Sequence, residues 1–100
     1  MLHIVNKSPY ERNALESCLR LSEAGSDILL IEDGVYAAIA GTAGADKISG
    51  KTDGYSFYVL GPDLQARGMA AKEIVDGVEV IDYAGFVNLV EKNDSSTSWL

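Results

Sequence analysis

A single α/β domain, with a mostly parallel sheet of about four or five strands and helices on both faces, is predicted by three features of the sequence. Short apolar runs (LHIV, ILLI, YSFYVL and VEVI) recur along the chain, and helical patterns fall between them. Glycines or capping residues punctuate the junctions. Alternating strands and helices make successive strands parallel, because each connection must cross a face of the sheet. A chain of 100 residues buries ~60–70% of its unfolded surface, enough for one core.

The first strand is LHIV, Leu2–Val5, a continuous run suited to burial on both faces. Ser8-Pro9-Tyr10-Glu11 then opens a helix: Ser8 caps free amides, Pro9 fits the first turn, and Glu11 completes a capping box. That helix is expected to run to about residue 24 and stop at Gly25. Asp27 introduces a second strand, ILLI, residues 28–31. Glu32-Asp33-Gly34 follows, and VYAAIA, residues 35–40, reads as a short helix capped by Asp33 or Gly34. Residues 41–54 are small and polar, with a helical turn near 45–49. YSFYVL, residues 55–60, is rich in aromatic and branched side chains and forms the third strand. Gly61-Pro62-Asp63 breaks it and starts a short helix, DLQAR, stopped by Gly68. VEVI, Val78–Ile81, alternates more and suits an edge, and Asp82 caps a last helix from Tyr83 to about Lys92. The domain is drawn as residues 1–94. Residues 95–100 are left as a polar tail in which Trp99 packs as an amphipathic anchor.

Charge and composition exclude several functions. Fifteen acids against eight bases give a net charge of −7, and the basic residues stand singly from Lys7 to Lys92. Direct nucleic-acid binding is therefore not expected. Apolar residues at the start last only to Val5, and no later run approaches the ~20 residues of a membrane span. One cysteine precludes an internal disulfide and fits a reducing compartment, so a cytoplasmic protein without a membrane partner is expected.

The chemistry-bearing motifs are few. SGKT, residues 49–52, imitates a phosphate loop, but Ala45 stands where the motif needs glycine, and the segment leads into a strand rather than a helix. Glu32, Asp33, Asp63 and Asp82 lie at strand ends, where folds of this class place their sites. An acid at a helix start also caps it and meets the dipole, so no metal site is expected. His3 has no second histidine or nearby cysteine with which to share a metal, and reads as a satisfied core or interface residue. Cys18 sits in NALESCLRLS, near the centre of a stripe formed by Ala14, Leu15, Cys18, Leu19 and Leu21. It lies roughly 13–14 Å along the helix from Pro9, beyond the reach of the N-terminal dipole. The pattern therefore points to a structural thiol.

LHIVNKSP, LLIEDGVYAA, YVLGPDLQARG and VIDYAGFVNLV, with Trp99 near the end, together resemble the DsrH/TusB family of sulfur-relay subunits over nearly the whole chain. NKSPYERNALESCL, EDGVYAA and YVLGPDL bring the resemblance closer to DsrH than to TusB. It implies a heterohexamer built with DsrE/TusD-like and DsrF/TusC-like subunits. That complex passes persulfide sulfur to a DsrC/TusE-type carrier, in dissimilatory sulfur oxidation or in 2-thiolation of the tRNA wobble uridine, and no cofactor is implied. The chief sulfur-bearing cysteine of such complexes follows the third strand of the DsrE/TusD-type subunit. The equivalent here, Gly61-Pro62-Asp63, has none, so this chain is expected to be accessory or structural rather than the principal catalytic subunit. DsrH-type chains carry a cysteine in the first helix, matched by Cys18. The resemblance thus implies an accessory sulfur acceptor where the helical pattern implies a core thiol. The rival class is a stand-alone α/β binder of small ligands at the rim of strand ends. Only the first reading demands a stable hetero-oligomer, and its subunit must expose an apolar patch when alone.

Overall fold

In the computed structural model, which describes residues 1–10, 14–52 and 54–99, the elements follow in the order β1 (Leu2–Val5), α1 (Ala14–Leu21), β2 (Asp27–Leu30), a 3-10 helix (Glu32–Ala38), α2 (Ala43–Ser49), β3 (Ser56–Leu60), α3 (Gly61–Ala66), β4 (Val78–Ile81), α4 (Tyr83–Lys92) and β5 (Ser96–Trp99). The strands form one sheet in the order β4-β3-β2-β1-β5, and every neighbouring pair is parallel. The α/β class and the edge position of β4 are as the sequence predicts. The segment read as a tail is not free: Leu2 to Val5 pair in register with Ser96 to Trp99, making β5 the second edge. Its polar serines and threonine suit a strand with one unpaired side.

Topology decides where the helices lie. From β1 to β4 the chain steps across the sheet in one direction, so right-handed crossovers put α1, the 3-10 helix, α2 and α3 on one face. The return from β4 to β5 runs the other way and puts α4 on the opposite face. Alternation along the strands splits the core accordingly. Val5, Ile28, Leu30, Phe57 and Val59 meet Leu15, Cys18, Val35, Ile48 and Leu64 in a large cluster. Leu2 and Leu29 meet Leu89 in a small one, flanked by half-buried Ile4, Ile31, Tyr58, Ile81 and Phe86. Among the described residues, one face carries four helical segments and the other carries a single helix of ten residues.

Several local details differ from the sequence reading. The helix after β2 is of the 3-10 type, and its N-cap is Ile31 with no side-chain cap, rather than Asp33 or Gly34. Asp33 is instead drawn away by Arg67. The turn expected near residues 45–49 is a full helix begun by Thr42, whose Oγ1 accepts from the Ala45 amide at 3.2 Å. α1 ends at Leu21, short of residue 24, where Tyr55 Oη donates to the Ser22 carbonyl at 2.8 Å and fixes the exit. Ser8 Oγ accepts from the Tyr10 amide, whereas Glu11 and the capping box lie outside the described residues.

Candidate functional site

Because all strands run parallel, their carboxyl ends form one rim, the first place to seek chemistry. Its acids are engaged with their own chain. Asp63 Oδ2 accepts from the Glu32 amide at 2.6 Å, which holds Glu32 in the left-handed region at φ 49°. Arg67 Nε donates to Asp33 Oδ1 at 2.8 Å. Asp82 Oδ1 accepts from the Gly85 amide at 2.9 Å and caps α4 as its position predicts. These bonds stitch the exits of β2 and β3 together and start α4. Gly34 closes the rim over β1: a Cβ there would lie 2.2 Å from the Val5 carbonyl oxygen, so only glycine admits this approach. Among the described residues, no group of three or more His, Cys, Asp or Glu side chains is placed to hold a metal ion.

The SGKT segment follows a helix C-terminus instead of preceding an N-terminus. Ser49 closes α2, and the amides of Gly50 and Lys51 both point back to the Ile48 carbonyl. They are unavailable to a phosphate.

His3 is 6% exposed and paired. The Trp99 indole N–H donates to His3 Nδ1 at 3.0 Å, with ring centroids 6.0 Å apart. An imidazole accepts only when neutral, so the proton sits on Nε2. Burial, and then the nearby N-terminus, push His3 below its ordinary pKa. His3 therefore acts as the satisfied interior residue that its isolation in the sequence suggests, and its partner is the residue that anchors β5.

Cys18 is completely buried, among Ala14, Leu15 and Leu19 of the α1 stripe. Leu21, counted in that stripe from its spacing, is instead 65% exposed, because the last turn overhangs the amino ends of the strands beside Met1. Cys18 Sγ lies 3.4 Å from Ser22 Oγ, and that hydroxyl donates to the Cys18 carbonyl. With its one proton so used, Ser22 accepts from the thiol S–H. Burial raises the Cys18 pKa and the Ser22 contact offsets part of the rise. A thiol held in this way is a poor nucleophile at neutral pH.

The feature that sequence reasoning passed over lies on α4. At 100° per residue Leu89 and Phe86 face the sheet, while Tyr83, Val87 and Val90 form an adjacent flank. They are 60%, 54% and 46% exposed, and with Phe86 and Glu91 they line an open apolar groove. The signal was present in the spacing of Tyr83, Val87 and Val90, at i, i+4 and i+7. No helix among the described residues is long and apolar enough to cross a membrane.

Comparison with known proteins adds the relatives. The family described as "DsrH like protein" matches residues 7–96. "Protein TusB" of Serratia proteamaculans is 39% identical over 99 residues, covering 99% of this chain and 100% of the relative. "Protein TusB" of Erwinia tasmaniensis is 38% identical over the same shares. Among solved structures, the ychN protein of E. coli superposes with a TM-score of 0.83 at 19% identity, over 98% of this chain and 97% of its own. A protein of unknown function from Methanobacterium thermoautotrophicum gives a TM-score of 0.74 at 19% identity, over 97% and 95%. At that identity the two structures speak for the fold alone.

Proposed function

The chain belongs to the DsrH/TusB family, and from that premise we propose that it is an accessory subunit of a sulfur-relay complex, positioning the partners that carry sulfur rather than carrying it. Its partners in this reading are a DsrE/TusD-like and a DsrF/TusC-like subunit in a heterohexamer, together with a DsrC/TusE-type carrier protein. In the relay step, the carrier's cysteine thiolate attacks the outer sulfur of a persulfide. A new S–S bond forms on the carrier, the old one breaks, and the donor cysteine leaves as thiolate. The destination of that sulfur, oxidation or tRNA thiolation, is set by the carrier served.

The observation that carries the accessory reading is the burial of Cys18. It is the sole cysteine of the chain, and attack on a persulfide needs an exposed thiolate. At the rim, Asp33, Asp63 and Asp82 are tied to Arg67, Glu32 and Gly85, and none of the rim residues is a thiol. The test is intact-protein mass of every subunit after the assembled complex meets a persulfide donor. The expected result is a gain of about 32 Da, one sulfur atom, on a partner subunit and none on this chain. A gain on this chain that disappears in Cys18→Ala would overturn the accessory reading and make Cys18 a sulfur acceptor.

A further inference from the structure

The groove on α4 is an apolar surface built on a regular helical stripe. Tyr83, Val87 and Val90 lie on one flank of the helix and continue from half-buried Phe86, so docking would extend the small core cluster already seated there. The opposite flank is polar: Asn88 is exposed, and Lys92 Nζ reaches Asp27 Oδ2 at 3.2 Å. Lys92 is the only basic residue of α4, and it is thus turned away from the groove. Glu91 lines the groove, and exposed Asp82 and Asp94 flank the two ends of the helix. The apolar centre therefore has an acidic border, on a chain of net charge −7.

That border decides the occupant. In a two-fold pairing of identical chains the same patch meets itself, so the acidic border of one copy faces the acidic border of the other. Like charges brought together at an interface oppose the pairing, and opposite charges speed encounter. We infer that the Tyr83-Val87-Val90 flank of α4 docks one of the related α/β subunits, through an apolar face of that subunit bordered by lysine or arginine. The inference rests on the reading of this chain as a complex subunit.

The test is co-expression with the DsrE-like and DsrF-like subunits, followed by size exclusion with light scattering. Val87→Asp/Val90→Asp should leave the far-UV dichroism and cooperative unfolding of the chain intact yet remove it from the complex. Glu91→Lys, whose side chain is solvent-exposed and does not depend on core packing, should slow association about tenfold at low salt and converge on wild type at high salt. As the contrasting surface, Leu21→Asp on α1 should assemble normally. A complex that tolerates the α4 variants, or that Leu21→Asp breaks while they do not, would overturn the docking surface and leave the subunit reading standing. A wild-type chain that joins no complex would overturn both. A homodimer dissociated by Val87→Asp/Val90→Asp would overturn the choice of occupant.

Discussion

Trp99→Phe isolates the polar bond that ties β5 to the interior. In the wild type the indole N–H meets His3 Nδ1 at 3.0 Å, beside a histidine that is 6% exposed. Phenylalanine keeps much of the ring packing but leaves a buried acceptor without its donor, which costs roughly 1–3 kcal/mol. The bond also carries a pH signature. Protonation would set an Nδ1–H against the indole N–H, and burial already holds His3 below its ordinary value. A histidine with a lowered folded pKa takes up its proton first in the unfolded chain. Its contribution is therefore complete above the unfolded value of about 6.5, and is lost as pH falls from there toward the folded value. The chain has one histidine, so no other side chain ordinarily titrates between about pH 5.5 and 7.5. Urea unfolding followed by circular dichroism across that range should show the wild type losing stability on acidification. Trp99→Phe should start lower at the upper end and change less. Equal stability of the two proteins at the upper end, or a wild type that gains stability as pH falls, would refute the role given to the bond.

Three other outcomes follow from the geometry. Cys18→Ala should cost about 1 kcal/mol in denaturant unfolding, the loss of one buried sulfur, while the wild-type thiol resists alkylation until the chain unfolds. Rapid labelling of the folded protein would contradict its burial. Gly34→Ala forces a Cβ against the Val5 carbonyl and should destabilise by roughly 1–3 kcal/mol, read as a shifted urea midpoint. An unchanged midpoint would mean that the 3-10 helix moves away from β1 freely. Deleting residues 95–100 removes β5 and should lower the thermal midpoint more than Trp99→Phe does. No change would mean that the pairing of Leu2–Val5 with Ser96–Trp99 adds nothing to stability.

Strands β1 to β4 were legible because each is a short apolar run bounded by glycine or a cap, and α4 because Asp82 marks its start. β5 was not legible, for a physical reason. Ser96, Thr97 and Ser98 bury little, and their strand conformation comes from parallel pairing with β1 and from the Trp99–His3 bond, neither of which is local in sequence. The rim was half legible. Acids at strand ends could be placed, but their partners Arg67 and the Glu32 amide lie more than thirty residues away in two of the three cases, whereas Asp82 serves an amide three residues on and was assigned its cap correctly. For Cys18 the helical stripe pointed to burial, and the structure puts it in the core; the same stripe misjudged Leu21, since a period says nothing about where a helix outruns its sheet.

The segment after β3, where the resemblance places the sulfur-bearing cysteine of DsrE/TusD-type subunits, is Gly61-Pro62-Asp63 in this chain. A side chain at Gly61 would have its Cβ 3.2 Å from Val80 Cγ1 and 3.3 Å from the Ile81 carbonyl, so β4 would have to yield. Pro62 occupies the first turn of α3, where its fixed φ and missing N–H are tolerated. Asp63 holds Glu32 in its left-handed conformation through the 2.6 Å bond to the amide, and a thiol is too weak an acceptor to replace it. Of the three positions, Gly61 is short of room for a side chain and Asp63 ties the exits of β2 and β3 together. Packing on the α1 face closes over Cys18 in the same way. The α4 flank is different: Tyr83, Val87 and Val90 stand exposed beside half-buried Phe86, so substitutions there probe association at little cost to the core.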